Sequence, residues 1–357
     1  MSLYAVILCG GRGERFWPKS RRALPKQFIK MIGDRSMTQE TSERITRLCP
    51  QDRQVFVAPV RFGPTLRRQL RLKARNLVFE PMGRNTAPAI GLAATYLARR
   101  DPDATMVVLP ADHLIDNRAA FLRAVRLAAR LAQDGLLVTF GIPPARPDTG
   151  YGYIQLGDAI VGNEGLSAHR VLGFREKPDA ATAARYLAEG GYAWNSGMFV
   201  WRADVILAAF REFLPEFHRA LGQFGATIDT GKEKAALDRL YRKAPSVSID
   251  YAIMEKARNI AAVRGSFDWD DVGSWLALER HVKGDQDGNV AQGKCVTRDA
   301  LRCIVDTDCG AVALLGVKDL VVVRSGDAVL VAHREALAGL KDLLALIAGR
   351  KETKGLL

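Results

Sequence analysis

The sequence predicts an α/β protein with a mixed, mostly parallel sheet flanked by helices, followed by a small β-rich domain. In the first part of the chain, short apolar runs alternate with amphipathic stretches, and the order strand, helix, strand favours parallel pairing. Beyond His281, short strands with closely spaced turn signals indicate a separate β domain. We therefore expect one large domain over residues 1–283 and a smaller one over residues 284–357.

The elements of the large domain are predicted from apolar periodicity and capping residues. A helix over residues 36–48 has Ser36 as its N-cap and Gln39 three residues on, and a helix over residues 86–96 has Thr86 as its N-cap and Pro88 in its first turn. Further helices are predicted over residues 121–133 and within 203–243, and strands over residues 4–8, 54–58, 105–109, 136–142, 171–174 and 193–201.

The small domain is predicted to contain five short strands and a closing helix. Leu337, Leu340, Leu344 and Ile347 recur at helical spacing, so we expect the chain to end on a packing helix. The strands are predicted over residues 294–297, 303–305, 312–315, 320–324 and 328–332.

Bulk composition limits the class of protein. The chain has 357 residues, which exceeds what one core usually covers, and it is 48% hydrophobic and 25% charged, as in an ordinary globular protein. No apolar run reaches the length of a membrane helix, and the N-terminus enters a strand at once, which leaves no room for a signal peptide. We expect a cytoplasmic protein without a membrane partner.

The cysteine content indicates no metal-cysteine site, and the charge alone does not choose between nucleic acid and polyanionic substrates; from the sequence as a whole we expect no nucleic-acid partner. The net charge is +13, but the arginines are spread over many helices, without a basic tail or interleaved aromatic residues. A positive field around a site for polyanionic substrates is the milder interpretation. The five cysteines form no pair at metal-ligand spacing, and we expect them to be reduced and structural; they are Cys9, Cys49, Cys295, Cys303 and Cys309.

A glycine loop follows the first strand and is a candidate phosphate site. Glycine lets the backbone turn tightly and approach a ligand, and backbone N–H groups in such a turn form a concave anion site. Arg15 and Lys26 would add positive charge. The loop lacks both the G-K-[ST] ending of a Walker loop and the third glycine of the dinucleotide fingerprint, so an ordinary turn remains the alternative. The glycines are Gly10, Gly11 and Gly13, with Arg12 between the last two.

Acidic residues mark two further candidate positions. Asp112 follows a predicted central strand, where open α/β sheets bind ligands, and a carboxylate is a good Mg²⁺ ligand; the alternative is a turn-forming Asp. Asp268, Asp270 and Asp271 lie within four positions and repel one another unless a positive charge compensates. A divalent ion is the simplest compensation, and a solvated acidic turn is the alternative.

Glu176 and Lys177 are adjacent residues at the end of a predicted strand. Because neighbouring strand residues point to opposite faces, we expect these two side chains not to pair.

Six motifs give a resemblance to a known family. G-G-R-G-E-R-F-W-P followed by L-P-K-Q-F resembles the signature of sugar-nucleotide pyrophosphorylases, and within them that of mannose-1-phosphate guanylyltransferases, or GDP-mannose pyrophosphorylases. Cys9 and Phe16 replace the commoner Ala and Leu without changing the expected backbone chemistry. The other motifs, in the family's order over roughly residues 1 to 350, are G-R-N-T-A-P, T-G-Y-G-Y-I, E-K-P, W-N-S-G-M-F and D-V-G-S-W.

The resemblance implies a fold and a reaction. The fold would be the Rossmann-like fold of nucleotide-diphospho-sugar transferases, with a short left-handed β-helix at the C-terminal end that supports a homodimer. The reaction would transfer GMP from GTP to mannose 1-phosphate, giving GDP-mannose and pyrophosphate, with Mg²⁺ on Asp112 and Asp271 and with Asp268 or Asp270 as further candidates. Longer members carry a phosphomannose isomerase module; this chain stops before one, so we expect no isomerase activity.

The resemblance also implies roles for individual residues. Arg15, Lys26, Asp112, Lys177 and Asp271 would be catalytic. The nucleotide would contact Leu8, Gly10, Gly11, Gly13, Arg84, Asn85 and Asp112, and the sugar phosphate would contact Gly150, Tyr151, Gly152, Glu176, Lys177 and Asn195. Asp250, in a segment similar to the family's I-D-Y-A, is expected to have a structural or peripheral role.

Three alternatives stay open at this point. The nearest is the same chemistry on another sugar 1-phosphate, such as a heptose 1-phosphate, or with another nucleoside triphosphate. A non-catalytic, nucleotide-binding regulatory subunit is the second, although Lys26, Asp112, Lys177 and Asp271 are all present. A nucleic-acid-binding protein is suggested by the charge alone.

Overall fold

The computed structural model describes residues 2–11, 13–163, 166–265 and 267–357. The chain forms two compact units, and both are discontinuous in sequence. The first comprises Met1–Gly10 and Thr41–Asp270, and the second comprises Gly11–Glu40 and Asp271–Leu357. The single boundary between residues 283 and 284 stays a prediction. The N-terminal loop and the segment from Asp271 share a unit with the C-terminal strands, which contiguous sequence patterns do not reveal.

The first unit contains a large sheet and a two-stranded sheet. Its strands are β1 (Ser2–Leu8), β2 (Gln54–Pro59), β3 (Leu77–Glu80), β4 (Ala104–Pro110), β5 (Leu114–Ile115), β6 (Leu137–Ile142), β7 (Tyr153–Asn163), β8 (Leu166–Arg175), β9 (Tyr192–Arg202), β10 (Ile260–Gly265) and β11 (Trp269–Asp270). The nine-stranded sheet has the order β3-β2-β1-β4-β9-β6-β10-β8-β7, and β5 pairs with β11.

The large sheet is mostly parallel, as the sequence predicts. β1 is parallel to β2 and β4, β2 to β3, and β6 to β10. β9 runs antiparallel to β4, β6 and β7, and β8 runs antiparallel to β10 and β7. Two strands are therefore reversed relative to the others, and the parallel strands end at one common edge.

Helices cover both faces of this sheet. The helices of the chain are α1 (Met37–Ile45), α2 (Gly63–Leu70), α3 (Thr86–Arg100), α4 (Arg118–Gln133), α5 (Ala180–Glu189), α6 (Ala203–Phe213), α7 (Pro215–Gly225), α8 (Glu233–Lys243), α9 (Leu278–His281) and α10 (Leu340–Gly349). Val6 and Leu137 lie in a buried core with residues of α3, α6, α7 and α8. Phe140, of opposite parity to Leu137 on β6, packs on Phe121 of α4, with ring centroids 6.3 Å apart. None of the helices among residues 2–11, 13–163, 166–265 and 267–357 is long and apolar enough to span a bilayer.

The second unit contains a four-stranded sheet in the order β12 (Val290–Arg298), β13 (Ile304–Leu315), β14 (Leu320–Ser325) and β15 (Ala328–His333). β12, β13 and β14 are parallel neighbours, and β15 is antiparallel to β14. The two strands predicted over residues 303–305 and 312–315 are one strand, β13, which passes through Gly310 at φ 65°. Glycine tolerates that left-handed conformation, and β13 pairs with β14 before it and with the second half of β12 after it.

The N-terminal loop of this unit is held against residues from its far end. Trp17 Nε1 donates a 2.9 Å hydrogen bond to the carbonyl of Leu356. Lys19 Nζ lies 2.8 Å from both carboxylate oxygens of Asp306 on β13, and the Asp306 side chain is only 1% exposed. Burial raises the pKa of Asp306, and the Lys19 ammonium opposes that shift. The ion pair therefore stabilises this unit, because either charge alone would be buried without an opposite charge beside it.

We expect Lys19→Ala to destabilise this unit. Removing one partner of a buried ion pair costs about 3 kcal/mol or more, which lowers the melting temperature by roughly 5 °C or more. Scanning calorimetry would measure it, with Lys294→Ala, at an exposed lysine of the same unit, as the control. The double variant Lys19→Ala/Asp306→Ala should recover part of the loss, and a melting temperature of Lys19→Ala equal to wild type would contradict this account.

Candidate active site

The glycine loop begins where β1 ends, and the boundary between the two units falls inside it, after Gly10. Gly11 and Gly13 have φ angles of 92° and 61°, in the left-handed region that glycine adopts without strain. A Cβ on Gly13 would lie 2.5 Å from the backbone nitrogen of Lys26, so only glycine lets these two backbones approach. Arg15 is exposed, and Arg12 lies outside the described residues.

Lys26 is a buried cation in the second unit. Its side chain sits beside the ring of Phe16, with Nζ 5.7 Å from the ring centroid, and the residue is 6% exposed. Nζ donates a 2.6 Å hydrogen bond to the backbone carbonyl of Asp271. Two residues that the sequence predicts to be catalytic, 245 positions apart, are therefore in direct contact.

Aromatic packing joins the same two motifs. Phe16 packs edge-on against Trp275, with ring centroids 5.2 Å apart, and Trp275 Nε1 donates to the carbonyl of Trp17 at 3.2 Å. Both tryptophans and Phe16 are buried. G-E-R-F-W-P and D-V-G-S-W thus form one packed substructure, in which the aromatic residues position the backbone that carries Lys26 and Asp271.

In the first unit, the loop after β4 carries Asp112. Ala111 N donates to the carbonyl of Leu8, which ties this loop to the end of β1. β5, two residues beyond Asp112, pairs with β11, so Leu114 lies opposite Asp270. Trp269 Nε1 donates to His113 Nδ1 at 3.1 Å, which makes His113 a residue that orients the loop. The loop over residues 110–113, which carries Asp112, and the segment over residues 267–270 are therefore neighbours.

The segment before α3 differs in detail from the prediction. The N-cap is Asn85, not Thr86, and the helix runs to Arg100 rather than residue 96. Asn85 adopts a φ of 69°, and its Oδ1 accepts a 2.8 Å hydrogen bond from Thr86 N. Thr86 Oγ1 instead accepts a hydrogen bond from Ile249 N at 2.9 Å, so the threonine hydroxyl does not cap the helix. Arg84 Nε donates to the carbonyl of Tyr241 at 3.1 Å, so the loop that carries both predicted nucleotide contacts is fixed at each of them.

Glu80 is a buried acid that sequence reasoning missed. It ends β3, directly before this loop, and is 5% exposed. Tyr241 donates its hydroxyl to Glu80 Oε1 at 3.1 Å. Burial raises the pKa of Glu80 to about 7, and the tyrosine hydrogen bond opposes the shift. The sequence gives no signal for it, because a single acid after an apolar strand is common at exposed turns.

The residues predicted to contact the sugar phosphate gather around Gly152 in the first unit. A Cβ on Gly152 would lie 2.4 Å from Glu176 Oε2, so the carboxylate occupies the space that glycine leaves. Asn195 N donates to the carbonyl of Gly152 at 2.8 Å. Gly152, Glu176 and Asn195 are thus brought together.

Glu176 and Lys177 form an ion pair, which corrects the expectation that they do not pair. β8 ends at Arg175, so the alternation of a strand no longer applies to the next two residues. Lys177 has a φ of 47°, a left-handed conformation that turns its side chain back toward its neighbour. The Lys177 side chain is 57% exposed, whereas that of Glu176 is 9% exposed.

Aromatic rings lie beside this group. Tyr151 packs between Trp194 and Trp269, with centroid distances of 5.0 and 5.4 Å. The Arg146 guanidinium lies over Trp194, 5.2 Å from its centroid. Gly150 N donates to Asp148 Oδ1 at 2.8 Å, which shapes the turn before Tyr151.

The predicted site residues divide between the units. Gly11, Gly13, Arg15, Lys26 and Asp271 belong to the second unit, and the first carries Leu8, Gly10, Arg84, Asn85, Asp112, Gly150, Tyr151, Gly152, Glu176, Lys177 and Asn195. Within the described part of the chain, no group of three or more His, Cys, Asp and Glu side chains could hold a metal.

Comparison with known proteins identifies the family. The family model for nucleotidyl transferases matches residues 4–287, and that for the MannoseP isomerase/GMP-like beta-helix domain matches residues 293–345. The mannose-1-phosphate guanylyltransferase of Escherichia coli is 40% identical over 361 residues, covering 99% of this chain and 75% of that protein. The chain belongs to the mannose-1-phosphate guanylyltransferase family. The Klebsiella pneumoniae guanylyltransferase is 41% identical, over 97% of this chain and 74% of its own length.

A solved structure supports the same family. The crystal structure of the mannose-1-phosphate geranyltransferase from Thermus thermophilus is 36% identical and superposes with a TM-score of 0.88, covering 97% of this chain and 99% of that one. The predicted nucleotidyltransferase fold of this guanylyltransferase family member, including its β-helix-like C-terminal part, is thus confirmed. Members of this family generally use a divalent metal ion.

We expect the stability of this protein to fall between about pH 4.5 and pH 7 because of Glu80. The folded state retains the Glu80 proton up to about pH 7, while the unfolded chain releases it near its ordinary value of 4.5. The folded state therefore binds more protons in this window, and the resulting loss of stability is of the order of 3 kcal/mol by pH 8. Glu80→Gln keeps a neutral hydrogen-bonding side chain and lacks this loss.

Thermal melts at pH 5 and pH 8 test this expectation. Glu80→Gln should melt near wild type at pH 5 and about 5 °C or more above it at pH 8. Glu216→Gln, whose side chain is 91% exposed, serves as the control. A difference between Glu80→Gln and wild type that is the same at both pH values would contradict the raised pKa of Glu80.

Proposed function

We propose that this protein transfers GMP from GTP to mannose 1-phosphate, releasing GDP-mannose and pyrophosphate. The observation that carries the proposal is the contact between buried Lys26 and the carbonyl of Asp271, which joins two motifs of the family in one substructure. The relatives in Escherichia coli and Klebsiella pneumoniae, which match nearly the full chain, are named for this reaction.

The chemistry needs positioning more than acid–base catalysis. An oxygen of the sugar phosphate forms a bond to the α-phosphorus of GTP, and the bond from that phosphorus to the bridging oxygen breaks on the opposite side. The attacking oxygen is already anionic near neutral pH, so no general base is required. The difficulty is to bring two polyanions together, and fixed positive groups and backbone donors lower that barrier.

The nucleotide would be held by the glycine loop and the loop before α3. We assign Leu8, Gly10, Gly11 and Gly13 to the phosphates and ribose, with Arg15 and Lys26 neutralising the triphosphate and the leaving pyrophosphate. The left-handed glycines support this assignment, because they turn the backbone N–H groups of the loop without strain. Arg84 and Asn85, which the structure holds in a fixed loop, would contact the guanosine part.

The sugar phosphate would be held beside Gly152. Lys177 is more than half exposed and cationic, which suits a phosphate ligand, and Glu176 offers carboxylate oxygens to sugar hydroxyl groups. Asn195 and the segment Gly150, Tyr151 and Gly152 complete the assignment. Its support is the packing of Glu176 over Gly152 and the backbone hydrogen bond between Gly152 and Asn195.

The divalent ion of this reaction would be Mg²⁺, held by Asp112 and Asp271. Carboxylate oxygens suit a hard cation, and Mg²⁺ is usually bound by one or two carboxylates together with substrate phosphates. When bound, the ion would neutralise charge on the reacting phosphates. The homodimer, the cytoplasmic location and the lack of isomerase activity stay predictions.

The test is pyrophosphate release with Mg²⁺, crossing GTP, ATP, UTP and dTTP with mannose 1-phosphate, glucose 1-phosphate and a heptose 1-phosphate. We expect a rate confined to GTP with mannose 1-phosphate. A rate with another pair would keep the mechanism and change the substrates. No pyrophosphate release with any combination, from folded protein that binds GTP, would favour a regulatory subunit.

Lys26→Ala should lower kcat by about a hundredfold or more, because it removes a fixed positive charge near the reacting phosphates. Steady-state kinetics measure the loss, and circular dichroism checks the fold. Lys30→Ala, at an exposed lysine of the same segment, is the matched control and should retain full activity. Full activity of Lys26→Ala would remove Lys26 from the mechanism.

Gly152→Ala should reduce kcat/KM for mannose 1-phosphate by roughly tenfold to a hundredfold, because the new Cβ displaces the Glu176 carboxylate. KM for GTP should change little. Gly222→Ala, in α7 with no atom within 4 Å of the new Cβ, is the control. Equal effects on both substrates would indicate a general distortion instead of a sugar-side role.

A further inference from the structure

Asp250 contacts the predicted sugar side of the site, although its sequence segment suggested a structural or peripheral role. It is half-buried and opens a short π-helical turn, Asp250–Met254. Its Oδ1 accepts a 2.8 Å hydrogen bond from Asn195 Nδ2. Single π-helical turns are rare in proteins and frequently occur at functional sites.

The orientation of the Asn195 amide is fixed from both ends. Asn195 Oδ1 accepts hydrogen bonds from Gly197 N at 3.2 Å and from Thr139 Oγ1 at 3.1 Å, while Nδ2 points to Asp250. The backbone donor at Gly197 identifies that atom as the oxygen. The amide nitrogen has two hydrogens, so one is committed to Asp250 and the other remains to donate to a ligand.

Like charges face each other beside this amide. Asp250 and Glu176 repel, and Lys177 offsets both carboxylates. The other titratable groups at this point are Tyr251, which acts on Lys177, and Glu255, whose Oε1 accepts from Glu176 N at 3.0 Å. Burial, and then the charge of Glu176, raise the pKa of Asp250 to about 6, against the Asn195 hydrogen bond and Lys177.

The hydrogen-bonding groups of Asp250, Glu176 and Asn195 indicate what kind of ligand could bind beside them. A purely structural partner for one amide N–H does not need to be a carboxylate beside a second carboxylate. A carboxylate has about four lone-pair positions, and Asn195 uses one of those on Asp250. Two carboxylates and one free amide N–H form a set of acceptors and a donor that suits a ligand with several hydroxyl groups.

We propose that Asp250 is a further substrate-binding residue, whose carboxylate accepts a hydrogen bond from a hydroxyl group of the sugar while it orients the Asn195 amide toward a neighbouring hydroxyl group. The proposal rests on the proposed function and extends the sugar side of the site beyond Gly152, Glu176 and Asn195. Asp250 thereby acts on specificity for the sugar and leaves the nucleotide side unaffected.

The first experiment compares wild type with Asp250→Asn. A hydrogen bond to a charged group is worth about 1.5–3 kcal/mol, so KM for mannose 1-phosphate should rise by roughly tenfold to a hundredfold at pH 7.5, with KM for GTP within about twofold. Asp229→Asn, at an exposed carboxylate of the same unit, should leave both values unchanged. Equal increases for both substrates, or no increase, would overturn the proposal.

The pH dependence gives a readout that a structural role would not produce. The ratio of the variant KM to the wild-type KM should fall toward one between pH 7.5 and pH 5, because wild-type Asp250 becomes protonated in this range. Taking the ratio cancels the ionisation of the sugar phosphate itself, which also lies near pH 6. A ratio that is constant with pH would contradict a carboxylate acceptor.

A set of mannose 1-phosphate analogues, each lacking one hydroxyl group, identifies the hydroxyl group that Asp250 contacts. In wild type, the analogue that lacks the contacted hydroxyl should bind more weakly at pH 7.5, and this penalty should shrink at pH 5. In Asp250→Asn the same penalty should be smaller at pH 7.5. Penalties that are independent of pH for every analogue would exclude the contact. If wild type has no activity with mannose 1-phosphate, the proposed function itself fails.

Discussion

The hydrogen bond from the Lys26 ammonium to the Asp271 carbonyl is the interaction on which the second unit depends. An ammonium that is 6% exposed is costly to bury unless oxygen atoms receive its hydrogens. The partner at 2.6 Å is a backbone atom, so the contact fixes the path of the chain. Phe16 lies beside the ammonium and packs on Trp275, and the low exposure of Lys26 strengthens the contact. The ammonium that we propose to neutralise the triphosphate is therefore also a structural anchor.

Much of the fold follows from local sequence. The sequence predicts β1, β2, β4 and β6 from their apolar runs, because each run consists of neighbours in the chain. It also predicts the capping box of α1, in which Ser36 N donates to Gln39 Oε1 at 2.9 Å and Gln39 N donates to Ser36 Oγ at 3.3 Å. Predictions of local detail were wrong where either of two residues could fill one structural role. Asn85 and Thr86 can both cap a helix, but Thr86 Oγ1 accepts a hydrogen bond from Ile249 N, and the N-cap is Asn85. The prediction that Glu176 and Lys177 do not pair was wrong because β8 ends at Arg175, directly before these two residues.

The residues of the candidate site also differ in how far the sequence reveals them. Glycine loops and aspartate clusters have visible sequence patterns, whereas Glu80 and Asp250 are single acids whose properties come from distant residues. The Glu80 pKa depends on burial beneath Tyr241, 161 positions away, and the Asp250 hydrogen bond depends on Asn195, 55 positions away. No local pattern records such burial. Sequence reasoning finds residues that act as members of a motif and misses those that act through a tertiary neighbour.

The discontinuous second unit also affects how the protein is made. Trp17, near the start of the chain, hydrogen-bonds to Leu356, 339 positions later, and Lys19 pairs with Asp306. A ribosome exposes the glycine loop long before it releases the strands that complete this unit. Contacts between such distant positions form slowly, because the intervening chain must first be ordered. During synthesis, the glycine loop is therefore made long before its partners in the folded unit, and in that interval the aromatic residues that follow it are accessible to chaperones.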